Sequence, residues 1–179
     1  MLTDSEMHAR MAKGWRAGNP ETICGNGSTA KHTAEIRAWL PGLVDRYDIR
    51  SLNDAGAGDR YWIKKVAWSA PLAYRPFDLI PRSPDVTQID ITREAMPRAD
   101  AILCRMVLNH LDDVRIEMAL GLFKKSAVYL IATQFDGDKL PKRSPQFTRC
   151  DLRRWLGDPI ERCHDGNEPE CHLAVWELV

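Results

Sequence analysis

The sequence predicts an α/β protein built on an open, mostly parallel sheet, with helices on both faces and a C-terminal antiparallel hairpin. Three observations carry that expectation. Apolar, strand-like runs alternate with stretches of helical periodicity between Ile49 and Ala132, the pattern of strand–helix–strand units around a buried sheet. One of these strands runs directly into a glycine-rich turn, Asp54-Ala-Gly56-Ala-Gly58. From Pro159 onward the alternation stops, and two strand-like segments flank Asp165-Gly166-Asn167-Glu168-Pro169-Glu170, as in a hairpin.

Residues 1–27 mix Met, Gly, Pro and Asn and read as an N-terminal arm or loop. Residues 28–179 read as one domain. Ser28 or Thr29 can cap a first helix, whose stripe Ile36, Leu40, Leu43, Val44 and Tyr47 shares one face. Pro41 should kink or divide it. Ile49–Asn53 is the first strand, and a helix carrying Tyr61, Trp62, Ile63 and Val66 should follow the glycine turn. Ala73–Leu79 is the second strand, although Pro76 argues against a central, fully bonded place for it. Val86–Ile91 is the third, and it follows Asp78 too closely for a crossover helix, so the domain is expected to be trimmed between strands 2 and 3. Ala101–Cys104 reads as a fourth strand buried on both faces. A helix marked by Val114, Met118 and Leu122 leads to the fifth strand, Ala127–Ala132.

Composition excludes several classes. The chain has 179 residues, 44% of them hydrophobic, and its 25 basic side chains balance 25 acidic ones. It therefore carries no overall charge bias toward nucleic acid. No apolar run reaches the length of a membrane span, and the N-terminus lacks the pattern of a signal peptide. Five cysteines without framework spacing fit a reducing compartment. A cytoplasmic protein is expected.

The glycine turn has a physical purpose. Glycines allow a tight turn and close approach of a ligand, and a following helix N-terminus would offer free N–H groups. The dinucleotide pattern G-x-G-x-x-G fails, because Tyr61 stands at the third glycine position; a nicotinamide enzyme is accordingly disfavoured. Asp54 just before the glycines instead suits a ligand bearing an ammonium group.

With Asp54-Ala-Gly56-Ala-Gly58-Asp59, Phe77-Asp78, Gln88-Ile89-Asp90-Ile91, Ala101–Leu111 with its Val107-Leu-Asn-His110-Leu run, and Tyr129–Phe135 in this order, the sequence resembles the Rossmann-like class I family of S-adenosylmethionine-dependent methyltransferases. The resemblance covers roughly residues 28–135. It implies S-adenosylmethionine as cofactor and methyl transfer to an acceptor that no motif identifies. It further implies that Asp54 faces the methionine ammonium and that Gly56 and Gly58 let the methionine end approach. Asp78 would hold the ribose, and Asp90 would either bind near the adenine edge or cap the turn at Thr92. Ile91 and Cys104 complete the expected cofactor contacts. His110 is a general-base candidate, though that position is often structural in the family; Arg105 and Asn109 are further pocket candidates. The chain departs from the family in lacking the third glycine, and it lacks the motifs of adenine-N6 and cytosine-C5 methylation. A fold that binds the cofactor without turnover, acting through interactions, is the alternative.

Three further features admit two readings each. The stretch from Gly25 through Ser28 and on to His32 is either a lid over the cofactor or a surface loop. Between Lys139 and Arg154 stand six basic residues (Lys139, Lys142, Arg143, Arg149, Arg153, Arg154) and one acid, Asp151. They are either a solvated face or contacts for a phosphate-bearing substrate or nucleic acid. Cys163-His164 and Cys171-His172 invite zinc. A simple hairpin pairs His164 with Cys171 and Cys163 with His172, splitting the four between opposite faces, so no metal site is expected.

Overall fold

A computed structural model describes residues 20–136, 149–166 and 168–178. Seven strands form one sheet in the order β3-β2-β1-β4-β5-β7-β6. They are β1 (Ser51–Ala55), β2 (Ala73–Asp78), β3 (Thr87–Gln88), β4 (Ala99–Cys104), β5 (Ala127–Phe135), β6 (Glu161–His164) and β7 (Cys171–Glu177). Strands β1 to β5 are parallel. Strand β7 runs antiparallel to β5 and carries β6 at the edge as the expected hairpin.

Helix α1 (Ala34–Arg46) covers one face and helix α2 (Asp113–Ser126) the other, with the single turn α3 (Arg153–Leu156) beside α2. Alternation within the strands divides the core in two. Ala101 and Leu103 pack with Ile36, Leu40 and Leu43 of α1, whereas Ile102 and Cys104 pack with Ile116, Leu120 and Phe123 of α2. Glu161 on β6 ties α1 to the hairpin by accepting from Trp39 Nε1 at 2.8 Å and from the Tyr47 hydroxyl at 3.2 Å.

Several expectations need correction. Helix α1 starts after Thr33 rather than at Ser28 or Thr29, because residues 26–28 form a separate 3-10 turn. It also runs undivided through Pro41, held by its fully buried Ile36, Leu40 and Leu43. The helix foreseen after the glycine turn is one 3-10 turn, Ile63–Lys65. Arg60 takes the left-handed φ of 58°, through which a right-handed helix cannot start. Helix α2 exists, but Val114 and Met118 face solvent at 67% and 47% exposure, while Ile116, Ala119, Leu120 and Phe123 are buried. The four-residue repeat belongs to the wrong side of the helix.

The trimmed link between β2 and β3 is present as a helix-free loop, and β3 itself is only two residues long. Pro76 sits within β2 opposite Asp54. Since Ala73 N donates to Arg50 O on the β1 side, alternation turns the nitrogen of Pro76 away from β1. That flank is unpaired, because β3 meets β2 only at Phe77 and Asp78. The proline therefore costs no ladder bond. In the hairpin, His164 pairs with His172 and Cys163 with Leu173, one residue out of the simple register. Among the described residues no cluster of three or more metal-ligating side chains forms, and no helix is long and apolar enough to cross a membrane.

Candidate functional site

Sheet order reverses direction at β1, which lies between β2 and β4, and crevices at such switch points are where open α/β sheets take ligands. Asp54 and the glycine turn occupy this end of β1. Asp54 is 4% exposed and accepts a hydrogen bond from the Tyr74 hydroxyl of β2. Burial pushes its carboxyl up to about 7, and neighbouring Asp78 adds to the rise; the bond from Tyr74 and the positive charges of Arg105 and Arg60 oppose it.

The turn closes against β2: Gly56 N and Ala57 N both donate to Phe77 O, at 2.8 and 2.9 Å. Glycine is required here. Gly56 has φ 91°, and a Cβ on it would overlap the Val107 side chain; Gly58 has φ 57°, and its Cβ would lie 2.5 Å from Cys24 Sγ. Asp78 ends β2 half-buried and stitches the turn down: Oδ2 accepts from Gly58 N at 2.8 Å and Oδ1 from Ile80 N at 2.9 Å. The structure thus brings Asp54, Gly56, Gly58 and Asp78 together.

The other expected residues are placed as follows. Asp90 caps its own turn, Oδ1 accepting from Thr92 N and Thr92 Oγ1 at 2.9 and 2.6 Å. Ile91 and Cys104 are buried in the core with α2, and burial raises the Cys104 thiol far above its ordinary value. His110 is half-buried in the 3-10 turn Leu108–His110 that follows β4. Asn109 in the same turn is 2% exposed, and neither its amide nitrogen nor its oxygen finds a partner.

Between β4 and that turn the chain is tightly determined. Arg105 Nε and Nη2 fork onto the two carboxylate oxygens of Asp165 at 2.7 Å each, and Nη2 also donates to Gly27 O at 2.7 Å. Both side chains are almost wholly buried, and the guanidinium lies 5.2 Å from the Trp62 ring centroid. Met106 then takes φ 57°, unusual for a residue with a Cβ, while its N–H donates to Thr133 Oγ1 at 2.7 Å. Tyr74, Cys24 and Asp165 carried no signal in the sequence, because each meets the site only through tertiary contact.

The basic segment is largely spoken for where it is described. Arg149 binds Glu168, Arg153 binds Asp151, and Arg154 reaches Asp113 at 3.1 Å. Lys139, Lys142 and Arg143 lie outside the described residues.

Comparison with solved structures shows that the chain has the Rossmann-like fold of class I S-adenosylmethionine-dependent methyltransferases. Magnesium protoporphyrin IX methyltransferase (ChlM) from Synechocystis PCC 6803, solved with bound SAM, superposes with a TM-score of 0.56 at 16% identity, covering 99% of this chain and 97% of that one. The methyltransferase domain of bacterial CtHen1-C matches with a TM-score of 0.55 at 13% identity, over 82% of this chain and 98% of that one. The pyocyanin biosynthetic protein PhzM matches 84% of this chain at 16% identity with a TM-score of 0.57, and the matched region spans 54% of PhzM. No protein-family model and no curated protein matches the sequence.

Proposed function

We propose that the protein is an S-adenosylmethionine-dependent methyltransferase acting on a small molecule or nucleic acid. One observation carries the reading: a buried acid, a glycine turn with two left-handed glycines and a second acid bonded to that turn meet at the switch point of the sheet. The donor set fits the cofactor. Asp54 presents a buried carboxyl to an ammonium group, and Arg105 and Arg60 are close enough to influence its charge. Asp78 spends two acceptor positions on Gly58 N and Ile80 N, and a carboxylate offers about four, so two remain for a pair of ribose hydroxyls. The single turn Ile63–Lys65 is too short to supply a helix dipole, so recognition falls to the acids and the turn backbone.

When bound, the cofactor supplies an electrophilic methyl group on sulfur. The chain's own task is then alignment, worth on the order of 7–11 kcal/mol when reacting atoms are held in line, and no acid or base is obligatory. For an acceptor that loses a proton, the general-base candidate is His110, in the turn after β4. Isothermal titration with S-adenosylmethionine and S-adenosylhomocysteine tests the reading; saturable binding of both supports it, and no binding to either at about millimolar concentration, near −4 kcal/mol, refutes it. A second reading, cofactor binding without turnover, is favoured by one feature: the trimmed, helix-free link between β2 and β3 beside the glycine turn. Transfer of label from methyl-labelled cofactor to any acceptor in a cell extract excludes it.

A further inference from the structure

Gly58 has no room above it. The thiol of Cys24 fills the space where a Cβ would stand, and Asp59 N donates to that sulfur at 3.4 Å. The segment around Cys24 is fastened at two points. On one side Thr22 Oγ1 and Ile23 N donate to Asp59 Oδ2 at 2.7 and 3.0 Å. On the other Gly27 O accepts from Arg105 at 2.7 Å, and Arg105 is itself clamped by Asp165. Between the fastenings Gly25 turns at φ 90°, a conformation open to glycine and suited to a hinge. The glycine turn that a ligand needs to approach is thus covered by the protein's own chain.

We propose that residues 22–27 form a strap that competes with the cofactor for the face of the Gly56–Gly58 turn, released from Asp59 when the cofactor enters and swinging about Gly25 while Gly27 stays on Arg105. This rests on the methyltransferase reading above. The two fastenings differ in place: the Asp59 side sits on the residue directly after Gly58, whereas Gly27 O is held by one hydrogen bond from Arg105 at the end of β4. The Asp59 side is therefore the one that an entering ligand displaces. A strap of this kind lowers apparent affinity by the fraction of molecules in which it is closed.

Two measurements on the full chain test the strap. Thr22→Val removes one of the two hydrogen bonds of the Asp59 fastening and Cys24→Ala removes the sulfur over Gly58, neither altering the glycine turn itself. Each should tighten S-adenosylhomocysteine binding about two- to tenfold, the worth of one net hydrogen bond, and should speed association. In the parent, S-adenosylhomocysteine should accelerate modification of Cys24 by a thiol reagent, mapped by mass spectrometry, because burial holds that thiol up at about 11 while the strap is down. Half-buried Cys163 should keep its rate and serves as the internal reference. Weaker binding in both variants, with Cys24 protected by ligand, overturns the proposal and makes the segment a roof that binds the cofactor. That outcome leaves the methyltransferase reading standing. Absence of binding in parent and variants alike overturns both.

Discussion

Asp54 and Asp78 stand at the ends of adjacent strands and differ in what surrounds them. Asp54 is buried with a single side-chain donor, Tyr74, and its carboxyl is raised to about 7 chiefly by burial. Since the folded value exceeds the ordinary one, the proton on Asp54 contributes stability that is full below about pH 4 and lost as pH rises through about 7. Ligand binding has the opposite slope, because an ammonium group opposite Asp54 favours the ionised form. Between about pH 5.5 and 7.5, below the titration of an α-amine, affinity for S-adenosylhomocysteine should rise on the order of tenfold, and Asp54→Asn should flatten the profile. A flat profile in the parent would show that the ammonium does not meet Asp54. Asp78 is held by two backbone donors, so its loss acts on the turn as well as on the ligand. Asp78→Ala should weaken S-adenosylhomocysteine binding about ten- to a hundredfold and also lower the melting temperature. Asp78→Asn, which keeps an acceptor oxygen, should do both to a smaller extent. Unchanged affinity in Asp78→Ala would refute the ribose assignment.

Helix α2 shows how far a periodicity can mislead at the scale of an element. Both faces of this helix carry apolar residues at helical spacing: Val114, Met118 and Leu122, four apart, on one, and Ile116, Leu120 and Phe123, four and three apart, on the other. Only the second meets Ile102, Cys104 and Leu130 of the sheet, and it includes Phe123, the largest of the six and 1% exposed. Urea titration should therefore separate the faces: Phe123→Ala should cost about 3–5 kcal/mol, and Met118→Ala should stay within about 0.5 kcal/mol. Comparable losses would place Met118 in an interface that the isolated chain does not show. The glycine turn has a related lesson. Its apolar followers Trp62, Ile63 and Val66 are buried in the cluster that contains α1, yet they arrive there in a single 3-10 turn and an extended stretch rather than the expected helix, because burial constrains the side chains and leaves the backbone free.

At the scale of the molecule, the Arg105–Asp165 pair joins three distant pieces of chain: the strap at Gly27, the end of β4 and the β6–β7 turn. Gly166 in that turn abuts the backbone of His32 so closely that a Cβ would lie 2.7 Å from its carbonyl oxygen. Removing one member of a buried pair leaves the other charge without compensation, so Asp165→Leu should destabilise by about 3–5 kcal/mol. Adding Arg105→Met should recover much of that loss in a denaturant titration. If the single substitution were as mild as the double, the pair would not be a structural clamp.

The sequence alone was enough for the sheet class, the hairpin and the trimmed β2–β3 link. These follow from short-range patterns, alternation and turn residues, whereas the grouping of Asp54, Gly56, Gly58 and Asp78 was implied by the resemblance to the methyltransferase family. Tertiary structure alone decided the rest. Whether Val114 or Phe123 faces the sheet depends on which partner the helix meets, and the one-residue register of His164 against His172 depends on which hairpin face the core buries. Cys24 reaches Gly58, Tyr74 reaches Asp54 and Arg105 reaches Asp165 across separations of 34, 20 and 60 residues. No local propensity encodes such contacts, because each arises only when the assembled sheet brings the ends of its strands to one edge.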